Sequence, residues 1–312
     1  MGFLRSIHQS IFILAAVLSQ SATGSAAQHI TTDRVDEVIS VIDQATRRYG
    51  VNRVLLAFDI DNTTLEFETD FGSEHWFLWQ ESLIKKQPAE EGAIATSIDQ
   101  ALDHQANIIS LSPMKPVDAS LPVELRRLGL TGVKMLALTS RGPQMRDATI
   151  REVAFNKFPY EDFGPGPRSG YPGTYLPYDL TRPDDYGLTA RDIATFSLKT
   201  ARPVIYDRGV FLTSGQHKGI MLRTLLQKTA DSFDAIIFID DRLKHSEAMQ
   251  KAFEDRPEDL TTIHYTKTAA TVRRFIESDK TKVIHAWCEF TRALQVNEGR
   301  TPRIPYLRPI CE

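Results

Sequence analysis

Three short apolar runs in this sequence stop abruptly on carboxylate or hydroxyl side chains. Arg53-Val-Leu-Leu-Ala-Phe58 ends at Asp59-Ile-Asp61-Asn-Thr-Thr64, Val133-Lys-Met-Leu-Ala-Leu138 ends at Thr139-Ser140-Arg141-Gly142, and Ala235-Ile-Ile-Phe-Ile239 ends at Asp240-Asp241. Thr261–Tyr265 is a fourth, weaker run. Runs that are apolar throughout, without polar alternation, suit central parallel strands covered on both faces. Between them lie helical patterns over Met145–Phe155, Lys218–Lys228 and Leu243–Phe253, and from Ala269 to Glu277 onward. A further helix is expected over Thr31–Tyr49, capped by Thr32 or Asp33 and ended by Gly50, with Val35, Val38, Ile39, Ile42 and Ala45 at helical spacing. Strands alternating with helices predict an α/β fold with a parallel sheet flanked by helices. Val204–Asp207 and Val210–Thr213 flank Arg208-Gly209 and read as a short hairpin.

A length of 312 residues allows one large domain or two small ones. Apolar residues make up 42% and charged residues 25%, which excludes disordered, collagenous and coiled-coil chains. The formal charge is −3, so no basic excess is present to neutralise a phosphate backbone, and nucleic acid is not an expected partner. Residues 1–27 have the layout of a secretory signal peptide: Arg5, the apolar run Ile11–Leu18, then Ser25-Ala26-Ala27 as small residues at a cleavage site. An uncleaved anchor or a buried N-terminal helix is the competing reading. The apolar run is far shorter than the roughly 20 residues of a membrane span, and no later run is longer. The expectation is therefore an exported chain, periplasmic or secreted, comprising residues 28–312. In an oxidising compartment two thiols tend to pair. A Cys288–Cys311 bridge would pin the Pro-rich tail to the body, the alternative being two unpaired thiols. Neither cysteine belongs to a zinc-binding pattern.

Two insertions interrupt the strand–helix alternation. Leu65 to Gly132 separates the first two strands and contains Trp76, Phe77 and Trp79, helix-prone sequence to about His104, and a Ser/Pro loop. The second covers about residues 156–203. Within it, Phe163–Gly187 holds five Gly, five Pro and four Tyr, which excludes a regular helix or a central strand. Such a segment is either a lid or binding loop, or a solvated connection.

In parallel sheets, ligands bind at the C-terminal ends of the strands. At the first such end, Asp59 and Asp61 lie one residue apart, and two buried anions side by side are costly unless a cation or proton is shared between them. Carboxylate and carbonyl oxygens favour a hard ion such as Mg²⁺ over zinc. An EF-hand reading fails, because Thr64 stands where the loop needs Gly and Asp70 where it needs Glu. Alone, a D-x-D after an apolar run is a weak signal. The other strand ends add Asp240-Asp241 and Thr139, and Lys218 opens a helix after the turn Ser214–His217. Two reactive carboxylates, a metal-binding acid, a hydroxyl and a lysine are together the parts that phosphoryl transfer requires.

In this order the segments resemble the haloacid dehalogenase superfamily of phosphatases. Asp59-Ile-Asp61-Asn62-Thr63 is similar to the D-x-D-x-T of its first motif, Leu138-Thr139 to its second, Lys218 to its third and Asp240-Asp241 to its fourth. The likeness runs from about Val54 to Tyr265, and the chain also resembles exported members of that superfamily from Gram-negative bacteria. The resemblance implies a Rossmann-like parallel sheet with cap insertions and Mg²⁺-dependent hydrolysis of phosphomonoesters. Asp59 would be the nucleophile that forms an aspartyl-phosphate, and Asp61 the general acid and base. Mg²⁺ would be held by Asp59, the Asp61 backbone carbonyl and Asp240, with Asp241 a further candidate. Thr139, the Ser140 N–H and Lys218 would bind phosphate. The Leu65–Gly132 insertion occupies the place of a cap, with Glu74, His75, Trp76 and Trp79 as candidate contacts, although aromatics at that spacing on a helix are commonly core. Arg141 is either a contact for a second anionic group or a surface arginine. The alternative functions are a non-catalytic binding or surface protein on the same fold, or a phosphotransferase.

Overall fold

The computed structural model describes residues 28–86, 92–298 and 311; the candidate signal peptide at 1–27 lies outside them. Ten strands are present among the described residues: β1 (Gln28–Thr32), β2 (Val54–Phe58), β3 (Leu65–Phe67), β4 (Met114–Pro116), β5 (Lys134–Thr139), β6 (Tyr171–Tyr175), β7 (Val204–Asp207), β8 (Val210–Leu212), β9 (Ala235–Asp240) and β10 (Asp259–Tyr265). The helices are α1 (Val35–Tyr49), α2 (Glu74–Ile84), α3 (Ile98–Leu111), α4 (Leu121–Leu130), α5 (Arg146–Phe155), α6 (Tyr160–Phe163), α7 (Ala190–Thr195), α8 (Lys218–Thr229), α9 (Leu243–Phe253), α10 (Ala269–Glu277) and α11 (Thr281–Glu298). Eight strands form one sheet in the order β1-β10-β9-β2-β5-β8-β7-β6. It is parallel from β1 to β8 and antiparallel over β7 and β6. The fold is α/β with a mostly parallel sheet flanked by helices, as expected.

The apolar runs are central because their two faces feed two different cores. On β2, Val54, Leu56 and Phe58 face a core shared with α1, α4 and α5, whereas Leu55 and Ala57 face one shared with α8 and α9. Successive strand side chains point to opposite faces, so only a strand buried on both can be apolar at every position. A third core joins α2 and α3 to α10 and α11 through Trp76, Leu83, Ile108, Phe275, Val283 and Trp287. Cys288 on α11 forms a disulfide with Cys311, whose side chain packs against this same core.

Four expectations need correction or detail. Thr31 and Thr32 are not helical: they belong to edge strand β1, paired with His264 and Tyr265 of β10. Helix α1 starts at Val35, and Thr32 serves its entry from outside by accepting the Arg34 N–H at 3.1 Å and donating to Glu37. The helix expected to fade near His104 continues to Leu111. Within Phe163–Gly187, Tyr171–Tyr175 forms edge strand β6, with Tyr178 buried and the Lys228 ammonium over the rings of Tyr171 and Tyr175. The hairpin β7–β8 turns on Arg208 and Gly209, both at positive φ, the backbone that a two-residue turn requires.

Helix α7 is held to α8 by a two-bond fork from the buried Arg223 to Asp192, at 2.6 and 2.8 Å. Burial works against ionised Asp192, but Arg223 and Thr189 outweigh it and hold its carboxyl below the usual range. A depressed folded-state pKa contributes stability above the unfolded value, and that contribution is lost as the pH falls. Asp192→Asn is therefore expected to lower stability by about 2 kcal/mol at neutral pH. In urea unfolding the gap to wild type should narrow once the pH drops below the ordinary carboxylate range. The Cys288–Cys311 bridge spans a sequence separation of 23. Reduction, or Cys288→Ser with Cys311→Ser, should cost about 3 kcal/mol and lower the melting temperature by an amount that reductant does not further increase in the double variant.

Candidate active site

The C-terminal ends of β9, β2 and β5 lie side by side, and β2 is where the chain reverses its direction of travel across the sheet. Such a reversal leaves a crevice beyond the strand ends. Asp59 continues the ladder by donating its N–H to Ile239 O at 2.9 Å. The chain then coils tightly, with the N–H groups of Thr63, Thr64 and Leu65 all directed at Ile60 O. Asn62 adopts a left-handed φ of 60° and donates its N–H to Leu65 O. This coil keeps Asp59 and Asp61 at one end of the sheet, where a continuing strand would have placed them further along it.

Lys218, the first residue of α8, is buried between two carboxylates. Its Nζ lies 2.7 Å from Asp59 Oδ1 and 2.7 Å from Asp240 Oδ2. Asp240, wholly buried at the end of β9, also accepts the Arg242 N–H at 2.9 Å and has His245 Nδ1 at 3.0 Å from both its oxygens. Burial opposes its charge, but Lys218 and His245 prevail and hold the carboxyl at about 2. Burial dominates at Asp59, pushing its carboxyl well above the ordinary range against the pull of Lys218. Burial likewise raises Asp241, with Glu74 and Asp240 adding to the effect. On Lys218 burial disfavours the charge, yet Asp240 and Asp59 raise its pKa.

Asp61 is turned to a different partner. Arg141, only 5% exposed, grips its two oxygens at 3.0 and 2.7 Å and bonds Thr149 Oγ1 at 2.9 Å. Arg141 is thus neither a surface residue nor a spare contact for an anion: it fixes the second carboxylate. The Thr139 hydroxyl is buried and accepts the Arg141 N–H at 3.2 Å, whereas Ser140 is exposed. Thr213, Ser214 and Gly215 donate their N–H groups to Thr139, Arg141 and Ser140 carbonyls and clamp this loop. Of the insertion candidates, Trp76 is core and His75 packs on Phe275 with its ring against Asp70. Glu74 is the one that joins the acids, accepting from Arg242 Nη1 at 2.9 Å and from Asn62 Nδ2 at 3.1 Å. Burial raises its pKa, with Arg242 opposing.

Asp59, Asp240 and His245 each offer a ligand atom, all within 4.8 Å of one another. Asp241 Oδ1 is buried without a hydrogen-bond partner. Two carboxylates thus hold one buried ammonium, and the group of Asp59, Asp240 and His245 could hold a metal ion. His245, Arg242 and the role of Arg141 were not foreseen from the sequence. His245 lies in the first turn of α9 at a spacing that no metal motif marks, and nothing local to Arg141 signals burial.

Residues 31–300 match the family DUF2608, described as a protein of unknown function. The chain belongs to the DUF2608 family. That match takes in every residue of the acid cluster, from Asp59 to His245. No curated protein and no solved structure matches the chain. Among the described residues, no helix of this DUF2608 protein is long and apolar enough to cross a membrane. Removing one partner from a buried charge group costs about 3–5 kcal/mol. Lys218→Met should therefore destabilise the protein by that amount in urea unfolding. Adding Asp240→Asn, which deletes one of the stranded charges, should restore part of the loss.

Proposed function

We propose that this protein is a phosphatase of the haloacid dehalogenase type, acting on phosphomonoesters. What carries the reading is the meeting of Asp59, Lys218 and Asp240 at 2.7 Å contacts on adjacent strand ends, with Asp61 held two residues from Asp59 by Arg141. Asp59 attacks phosphorus in line with the ester oxygen, so that a P–O bond forms to its carboxylate as the ester P–O bond breaks. Asp61 gives its proton to the departing alkoxide and later takes one from the water that cleaves the aspartyl-phosphate. The Arg141 fork fixes the orientation of the Asp61 carboxylate. Lys218 would offset charge on the transferring phosphoryl group, and Thr139 and the Ser140 N–H would bind phosphate oxygens. Mg²⁺, held by Asp59, Asp240 and the Asp61 carbonyl with Asp241 nearby, would supply Lewis-acid neutralisation of the phosphoryl oxygens.

The Cys288–Cys311 disulfide supports an oxidising destination, in keeping with the secretory layout of residues 1–27. The purified protein should hydrolyse p-nitrophenyl phosphate or another small phosphomonoester with Mg²⁺, and lose the activity in EDTA. Asp59→Asn should abolish turnover at unchanged circular dichroism. A folded, Mg²⁺-supplied protein that hydrolyses none of a broad ester panel would instead favour a binding protein on the same fold.

A further inference from the structure

Glu74 is the first residue of α2, and its two carboxylate oxygens go to two different loops. Oε2 accepts from Asn62 Nδ2 at 3.1 Å, and Asn62 lies between Asp61 and Thr63 in the coil after β2. Oε1 accepts from Arg242 Nη1 at 2.9 Å, and the Arg242 N–H in turn holds Asp240 Oδ1 at 2.9 Å. The loops also meet directly, where the Asp241 N–H donates to Thr63 Oγ1 at 2.9 Å. An acid in the first turn of a helix ordinarily does no more than favour the helix dipole. That reading leaves the geometry unexplained, because Ser73 already caps α2 through the Trp76 N–H and both Glu74 oxygens point to groups outside the helix.

We propose that Glu74 is a positioning residue that holds the Asp59–Asp61 coil and the Asp240–Asp241 loop in register, making the inserted helix α2 a fixed part of the active centre. The proposal rests on the phosphatase reading. Glu74 directs its hydrogen bonds to Asn62 and Arg242 rather than to the reacting carboxylates. It acts through Asn62, whose left-handed backbone sets the coil, and through Arg242, whose N–H orients Asp240. Outer partners of this kind typically change metal affinity or activity by about 10- to 100-fold when removed.

The test compares wild type, Glu74→Ala, Glu74→Gln and Glu81→Ala. Mg²⁺ binding is measured by titration calorimetry and turnover with p-nitrophenyl phosphate, with Asp59→Asn alongside. Glu74→Ala should weaken Mg²⁺ binding and lower kcat, each by about 10- to 100-fold. Its KM should stay within about twofold of wild type, since an orienting group lost from the transition state shows in kcat. Glu74→Gln keeps an acceptor for Asn62 and should recover part of kcat; it also carries the test if Glu74→Ala does not fold. Glu81→Ala, from the same helix with its partner Lys85 exposed, should behave as wild type. Wild-type kcat and Mg²⁺ affinity in Glu74→Ala would overturn the proposal. So would a change confined to KM, which would make Glu74 a substrate contact, or an equal loss in Glu81→Ala. Turnover that needs Asp59 but not Glu74 overturns this proposal alone, whereas turnover absent from wild type or indifferent to Asp59→Asn overturns the phosphatase reading and this one with it.

Discussion

The ammonium of Lys218, buried between Asp59 and Asp240, is the interaction on which the rest of the architecture depends. Burying three charged groups together is a poor way to stabilise a protein, since well-packed apolar side chains of the same volume do as well or better. Buried charge clusters of this kind occur at functional sites and in structural ion-pair networks alike. The sheet is built to hold this one. β2 and β9 run side by side and end within one residue of each other, and α8 begins at the lysine itself. The two large cores above and below the sheet keep water from the cluster and make each pairing strong.

A second ring of charged and hydrogen-bonded pairs surrounds this centre and has a different character. Arg141 grips Asp61, Arg242 grips Glu74, and His245 stands against Asp240. Each comes from a loop or helix just beyond a strand end, so the backbone that closes the sheet also orients the acids. The insertion between β2 and β5 takes part through Glu74, and it shares a core with α10 and α11. A segment tied to the body at both places is poorly suited to swing as a free lid.

The central strands were legible because burial on both faces leaves an unbroken apolar run, as in β2, β5 and β9. The bounds of α9 and the start of α10 were legible in the sequence; the break between α10 and α11 was not. Nor was β1: Gln28–Thr32 is a mostly polar edge strand that pairs with β10, far along the chain. The acids of the site could be read from the sequence because each follows a strand. The partners that set their orientation could not. Arg141 looks like any arginine in a loop until Asp61 is placed beside it, and Glu74 looks like an ordinary first-turn acid until Asn62 and Arg242 converge on it. Side-chain forks between distant segments leave no periodicity for a sequence reading to find.

The pairing of β1 with β10 has a consequence for how the chain reaches this state. Gln28 pairs with Thr261, and the core around Trp76 is completed by Phe275 and Trp287. Contacts so distant in sequence require large loops to close before they contribute any stability, which slows folding. An emerging chain can form α1 and the β2 hydrophobic run early, but its sheet keeps an open edge at β10 and its third core an open face until the last helices have been made. Until then, apolar surface and unpaired backbone remain exposed, which favours association between incomplete chains.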